Sequence, residues 1–380
     1  MIDFAERIDR LADLLEATGQ LSDPVWRQAL HAVPRHLFVP PVAWAQGPDG
    51  SGRRIDLAAD PDGWWEAAYA DQPIITQADD GATDPGTGRG SASSSLSAPG
   101  IVTTFLELLD PFDGDRVLEI GTGTGWTAAL LASRPGVQVT TIEVDAQIAE
   151  RAAANLKATG RDVRVLVGDG AEGDPDGAPF DCVHVTCGVV TVPHAWVRQT
   201  RPGGVIVFPW MPWYEGGHQV RLTVGRDGTA IGRFHGGCAY MRLRSQRPPD
   251  DGGPQSEIQE GTAQVDPRRI FHASAGLDIA IAGLLPDLGA SRVTTAEGDF
   301  KAWLWTTDCG AQITRERSGE TTVLQYGPRA LWSEVEDIFF RWLEWGRPGR
   351  DRFGITVTPK GQAIWLDAPD NTLRPAAEAT

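Results

Sequence analysis

Apolar residues Phe4, Ile8, Leu11 and Leu15 recur at the spacing of one helical face, and Gly19 follows them. The spacing predicts an opening helix that stops at the glycine. Asp23 before Pro24 has the form of a cap and a first helical position, which predicts a second helix. Between residues 116 and 208 short apolar runs alternate with helical stretches: RVLEI, WTAALLA, VTTIEV, IAERAAANL, VRVLV, FDCVHVT and VIVFP. That alternation predicts an α/β fold with a doubly wound, mostly parallel sheet. RLTVGRDGTAIGRF then reads as a hairpin turning at Asp227 and Gly228, and AYMRLRS as one more strand.

Two stretches, 46–60 and 78–95, are rich in Gly, Asp, Ser, Thr and Pro and are expected as surface loops, the second mobile when empty. RPPDDGGPQ, residues 247–255, has the composition of a boundary. The expected division is a first domain over 1–246, with helices in 1–45 and the core of the sheet from about 96 to 246. A linker over 247–257 and a small C-terminal α+β domain over 258–380 complete the chain. In the latter, KAWLWTT and FGITVTPKGQAIWLD read as strands. Leu331, Trp332, Val335, Ile338, Phe339, Trp342 and Leu343 make one helical face ended by Gly346. Trp303, Trp305, Trp332, Trp342, Trp345 and Trp365 are expected mainly as core, with peptide docking as the lesser reading.

Charge removes one class of partner. With 34 basic against 51 acidic side chains the net charge is −17, which opposes binding to a phosphate backbone, so nucleic acid is not an expected partner. Cys182, Cys187, Cys238 and Cys309 form no C-x-x-C pair and have no histidine at ligand spacing, so neither a disulfide framework nor a metal site is expected. The acidic start MIDFAERIDR lacks the form of a signal peptide, and no run approaches the ~18 apolar residues of a membrane span. A cytoplasmic protein without a membrane partner is expected.

Candidate chemistry centres on VLEIGTGTGW, residues 117–126, where a strand runs directly into Gly121, Gly123 and Gly125 before an apolar helix. Glycine permits the tight turn and lets a ligand approach the backbone at a helix N-terminus. Glu143 ends the next strand about 20 residues later, where a carboxylate can accept both hydroxyls of a ribose. Asp169, after the third strand, can accept a bond from an adenine amino group, and Glu119 can pair with the amino group of a methionine moiety. No Gly-Lys-Ser/Thr follows, which disfavours a nucleoside triphosphate. On these residues alone a nicotinamide dinucleotide remains a competitor.

AVPRHLFVP (32–40), AYADQP (68–73), SLSAPG (95–100), VLEIGTGTGW, VLVGDGAEG, APFDCVHVT (178–186) and RPGGVIVFP (201–209) stand in the order found in the protein L-isoaspartate O-methyltransferase family, which the chain resembles over roughly its first two thirds. The resemblance implies a Rossmann-like methyltransferase fold with S-adenosylmethionine as cofactor and S-adenosylhomocysteine as product. It implies cofactor contacts at Ser97, Glu119, Gly121, Gly123, Glu143, Asp169 and Gly170; Thr122 and Gly125 of the loop and Thr186 at the end of the fourth strand complete the expected set. Ser97 is the expected catalytic residue, beside the transferred methyl group. Tyr69, Asp71 and Gln72 resemble the substrate-side segment, and the hydroxyls of Ser94 and Ser95 are candidates for holding a peptide.

The stretches 46–60 and 78–95 look inserted, and residues from about 250 onward are expected to have no counterpart in repair enzymes. The chain in this respect looks like the branch associated with ATP-grasp peptide maturase systems. That likeness implies an ATP-grasp ligase as functional partner and a ligase-cyclised graspetide peptide as substrate, methylated on an aspartate side chain and then closed to an aspartimide. The alternatives are repair of isoaspartyl residues in damaged proteins and a non-catalytic peptide escort. Methylation of nucleic acid is disfavoured by Thr186-Cys187-Gly188, which offers no Asn-Pro-Pro or Asp-Pro-Pro for a flipped base.

The chemistry asks little of the protein in acid–base terms. A carboxylate with a reference pKa near ~3.9 is already a nucleophilic anion at neutral pH. Alignment of oxygen, methyl carbon and sulfur is what remains, and proximity is worth roughly 7 to 11 kcal/mol. Ser97 is expected to orient the nucleophile with one hydrogen bond, and His184, inside a core strand, is expected to be structural.

Overall fold

The computed structural model describes residues 4–47, 50–247 and 258–374. All of the expected linker except Arg247 lies outside the described residues. Helix α1 (Phe4–Ala17) buries Ile8, Leu11, Ala12 and Leu15, and Gly19 turns the chain at φ 72°. In α2 (Pro24–Ala32) the Asp23 carboxylate accepts the Val25 N–H, the bond expected of a cap.

Beyond α2 the fold departs from the sequence pattern. Strand β1 (Val42–Gln46), β2 (Gly52–Asp56), helix α3 (Pro61–Ala68), β3 (Ile74–Ala78) and β4 (Ala92–Leu96) build a four-stranded antiparallel sheet in the order β2-β1-β3-β4. The expected loops 46–60 and 78–95 therefore each contain a strand, and the first 45 residues are not helical throughout. Period-two alternation is weak here for a physical reason. GRRID of β2 buries only Ile55, and ASSSL of β4 is an edge strand whose serines cannot mark an apolar face.

The second block matches the alternating pattern. It comprises α4 (Pro99–Leu109), β5 (Arg116–Ile120), α5 (Trp126–Leu131), β6 (Gln138–Glu143), α6 (Ala146–Ala158), β7 (Val163–Val167), β8 (Phe180–Val185), α7 (His194–Gln199), β9 (Thr200–Trp210), β10 (Gly217–Val224) and β11 (Ala230–Cys238). Strands β9, β8, β5, β6 and β7 lie side by side and parallel, so β5 has β6 on one side and β8 on the other. The order reverses at β5, which opens a crevice at the carboxyl ends of the strands. The hairpin from β10 to β11 turns at Asp227 and Gly228 as expected. AYMRLRS is not a strand. It crosses the carboxyl edge of the sheet as a strap, tied by Gly188 N–H to Met241 C=O and Leu243 N–H to Gly188 C=O.

The tail comprises β12 (Gln259–Gly261), α8 (Pro267–Phe271), α9 (Ala275–Leu284), β13 (Gly289–Thr294), β14 (Phe300–Trp305), β15 (Gly310–Arg315), β16 (Thr321–Tyr326), α10 (Leu331–Glu344), β17 (Phe353–Thr358) and β18 (Gly361–Leu366). Strands β12 to β16 form a second antiparallel sheet in the order β12-β16-β15-β14-β13. The last hairpin leaves that unit. Strand β17 pairs with β11, which makes the large sheet nine-stranded and returns the tail to the first block.

Packing reinforces that return. Leu118, Ile120, Val183, Ile206 and Phe208 on one face of the large sheet share a continuous core with Leu277, Phe300, Trp332 and Phe353 of the tail. The opposite face, with Val117, Val139 and Cys182, packs against the N-terminal helices. Trp332, Trp342 and Trp365 are buried, whereas Trp303 and Trp305 sit half-buried on the outward face of β14. Phe353 is fully buried at the seam. Phe353→Ala is expected to cost about 3–5 kcal/mol, and chemical denaturation followed by tryptophan fluorescence and by circular dichroism is expected to give coincident transitions.

Candidate active site

The glycine loop is shaped by contacts that leave its floor bare. Gly121 has φ 92° and Gly123 φ 53°, both in the left-handed region that favours glycine. A Cβ on Gly121 would stand 2.7 Å from the Thr186 hydroxyl, and one on Gly123 would stand 3.2 Å from the Ser95 carbonyl. The Thr186 hydroxyl donates to the Gly121 carbonyl, fastening the loop to the end of β8. Glu143, buried at the end of β6, accepts the Gly123 N–H at 3.0 Å and the Asp145 N–H at 3.1 Å. A carboxylate has about four lone-pair positions, so two stay available to a ligand.

Above this floor lies a cavity of about 540 Å³, within the range of small-molecule sites. One wall is β4 and the segment after it, Ala92–Ala98; the roof is the strap, Ala239–Arg244, with Arg247. Ser97 and Tyr240 both line the cavity, and burial pushes the Tyr240 pKa upward. The strap is held at its far end by charge. Arg244 reaches Gln77 at 3.2 Å, Asp145 at 3.3 Å and Asp80 at 3.3 Å, and Arg247 pairs with both carboxylate oxygens of Asp80 at 2.7 and 3.0 Å.

Behind the wall sits Arg35, buried to 1 % exposure. Its guanidinium donates to the carbonyls of Ala68 (3.0 Å), Ala70 (3.3 Å), Gln72 (2.9 Å) and Ser97 (2.9 Å). It also lies 5.4 Å from the centre of the Trp126 ring, at the start of the helix that follows the glycine loop. Burial pulls its pKa down to about 9, so it stays charged at neutral pH.

Of the expected site residues, Ser94, Ser95, Ser97, Gly121, Thr122, Gly123, Glu143, Gly170 and Thr186 line the cavity together. Glu119, Gly125, Asp169, Tyr69, Asp71 and Gln72 do not. Glu119 is fully buried beneath the loop. Gly125 packs against Leu156 of α6, which a Cβ would meet at 3.2 Å. Asp169 is exposed beside Gly170; its carboxylate accepts the Ala171 N–H at 2.9 Å and the Ser245 hydroxyl at 3.4 Å. Tyr69 bonds His36 at 2.5 Å, the Asp71 carboxylate accepts the Gly100 N–H at 2.7 Å at the start of α4, and Gln72 offers its carbonyl to Arg35. Their place is in the wall's support. Sequence reasoning missed Arg35, Tyr240, Arg244 and Arg247. The one usable signal was a lone arginine among apolar residues in AVPRHLFVP.

A floor without side chains, a buried acid with lone pairs to spare and a switch-point crevice together fit an adenosyl group. Glu143 and the loop glycines would hold it. Its relatives place the chain among S-adenosylmethionine-dependent methyltransferases of the Rossmann-like fold. The profile of the family described as Protein-L-isoaspartate(D-aspartate) O-methyltransferase (PCMT) matches residues 61–247. The Protein-L-isoaspartate O-methyltransferase of Methanopyrus kandleri is 35% identical over 247 residues, 63% of this chain and 92% of that protein. Protein-L-isoaspartate O-methyltransferase 2 of Archaeoglobus fulgidus is 36% identical over 211 residues, 55% of this chain and 80% of that protein. A solved protein-L-isoaspartate O-methyltransferase matches in fold with a TM-score of 0.55 at 20% identity, covering 95% of this chain and 100% of that one.

The chain belongs to the protein-L-isoaspartate(D-aspartate) O-methyltransferase family and is a carboxyl O-methyltransferase that uses S-adenosylmethionine. The Methanopyrus and Archaeoglobus relatives match 63% and 55% of this chain, whereas the fold likeness to the solved structure runs over 95% of it.

Removing the Arg35 charge would leave several buried carbonyls without a donor, at about 1–3 kcal/mol each. Arg35→Met is expected to lower stability by at least ~3 kcal/mol in urea denaturation. Arg35→Lys, which keeps the charge but not the fork, is expected to recover only part of that loss.

Proposed function

We propose that this methyltransferase esterifies the free carboxylate of an L-isoaspartyl residue in a polypeptide. The observation that carries the reading is the cavity's construction, a bare glycine floor on one side and the serine-bearing edge strand β4 on the other, in a chain of this family. S-adenosylmethionine supplies, when bound, a methyl group activated by its sulfonium.

The chain's own residues supply position. Glu143 and Thr186 hold the glycine loop in one conformation from two strand ends. Ser97 closes the wall beside the cavity, with its backbone carbonyl fixed by Arg35 and Tyr240 lining the same cavity. From there its hydroxyl donates one hydrogen bond to the incoming carboxylate, while Ser94 and Ser95 face the peptide. A substrate carboxylate is ionised at neutral pH, so no base is required. The strap, latched by Arg244 and Arg247, excludes water from the cavity.

The family match and the curated relatives named for isoaspartate methylation support an isoaspartyl substrate over a ligase-cyclised peptide. The two substrates separate in one assay. With adenosylmethionine, an isoaspartyl peptide is expected to gain one methyl group by mass spectrometry, and its ordinary aspartyl isomer none. Methylation confined to an ATP-grasp-cyclised precursor would return the substrate to the graspetide reading. Ser97→Ala is expected to lower kcat by about 10- to 100-fold with a smaller change in KM, as for loss of a single orienting hydrogen bond.

A further inference from the structure

Three side chains form a polar row on an otherwise apolar face of the large sheet. Register puts Glu119 of β5 directly between His184 of β8 and Thr141 of β6. All three are buried; Glu119 and Thr141 have no exposed surface at all. Val117, Val139 and Cys182, two positions back on the same strands, belong to the hydrophobic core of that face.

The row continues into the glycine loop. The Thr141 hydroxyl donates to Glu119 Oε2 at 2.6 Å, and the Thr141 and Thr122 hydroxyls are 2.7 Å apart. Thr122 lines the cofactor cavity. The other end is unsatisfied. Glu119 Oε1 and both ring nitrogens of His184 have no hydrogen-bond partner, and His184 Nδ1 lies 4.0 Å from that same oxygen. Buried polar atoms without partners cost several kcal/mol, so two of them facing each other are not packing residues.

The surroundings decide what the pair can carry. Glu143, from β6, is the nearest like charge acting on Glu119. Tyr240 and Cys187 approach from the strap and from the end of β8, and burial keeps both neutral. The ring of Phe105, from α4, meets the His184 ring edge-on at 6.1 Å. No arginine or lysine offers a hydrogen bond or ion pair to Glu119 or His184 among the described residues. Burial, opposed by Thr141 and helped by Glu143, pushes the Glu119 pKa up to about 8, and burial pushes that of His184 down to about 3. One proton therefore resides on the pair at neutral pH.

We propose that His184 is a positioning residue that shares this one proton with Glu119, and that the proton is released to solvent when cationic adenosylmethionine enters the cavity. The inference rests on adenosylmethionine as the cofactor. In the free protein the proton stays on Glu119, whose Oε1 lies 4.0 Å from His184 Nδ1, and the pair is neutral. On binding, the Glu119 O–H bond breaks and its proton passes to bulk water, while the single ring proton of His184 moves from Nε2 to Nδ1, where it can donate to the new carboxylate; the ring stays neutral. Glu119 then faces the cation beneath the loop with its charge uncovered, and Thr141 and Thr122 transmit the change to the cavity floor. The sign is set by linkage. A cation lowers the pKa of the pair, so proton release accompanies binding below about pH 8 and fades above it.

Calorimetric titration of the full chain with adenosylmethionine, in two buffers of different ionisation enthalpy, reads this release directly. At pH ~6.5 about one proton per ligand is expected to leave, and Kd is expected to fall by up to about tenfold per pH unit before levelling near pH 8. Glu119→Gln is expected to bind with no proton release. His184→Phe leaves a lone buried acid, and its levelling point is expected to move up by at least about one pH unit. Nitrogen NMR of the wild-type His184 ring, which depends on no variant, is expected to shift on addition of the ligand. Binding without proton release, an unmoved levelling point in His184→Phe, or an unperturbed His184 ring would overturn the proposal while leaving the cofactor in place. A wild-type chain that does not bind adenosylmethionine would remove both.

Discussion

A single buried cation holds the two halves of the cavity in register. Arg35 comes from the short segment after α2, yet its guanidinium reaches carbonyls on three sides: the end of α3, the approach to β3 and the residue Ser97 after β4. Its other side faces Trp126, the first residue after the glycine loop. The N-terminal antiparallel sheet and the parallel sheet are separate hydrogen-bonded layers. Arg35 is the common point of the wall that one contributes and the floor that the other contributes. Burying an unpaired charge is costly, and here several oriented backbone dipoles offset that cost.

The strand order supplies the second constraint. Because β5 stands between β6 and β8, its end is where the crevice opens, and Gly121, Glu143 and Thr186 arrive there from three adjacent strands. Thr186 is tied to Gly121 and Glu143 to Gly123, each by a hydrogen bond to the loop backbone, so the floor keeps its form without depending on exposed side chains. The roof is built differently. Its strap is fastened by ion pairs that are partly exposed, so it is the part of the cavity best suited to yield when a ligand enters or leaves.

The parallel core was legible because buried strands and amphipathic helices have distinct periods, and VLEIGTGTGW marked the site within it. The antiparallel N-terminal sheet was not, since GRRID and ASSSL present polar residues to solvent or to the cavity and lack an apolar period. The strap read as a strand because Tyr240, Met241 and Leu243 suit one, whereas in the structure those side chains line a cavity. The seam at β17 was hidden for another reason. Pairing between β11 and β17 joins positions more than a hundred residues apart, and nothing local in FGITVT tells which sheet it will extend. Arg35, Tyr240 and the row at Glu119 share that limitation, because their roles come from neighbours brought by other elements.

We assign methyl transfer to the cavity between the glycine loop and β4. A crystal structure of the full chain grown with S-adenosylhomocysteine tests it most directly. The ribose is expected on Glu143, the ligand backbone over Gly121 and Gly123, and the sulfur directed to the wall at Ser97. Adenosylhomocysteine bound outside this cavity, or seated with its sulfur turned away from Ser97 and β4, would contradict it.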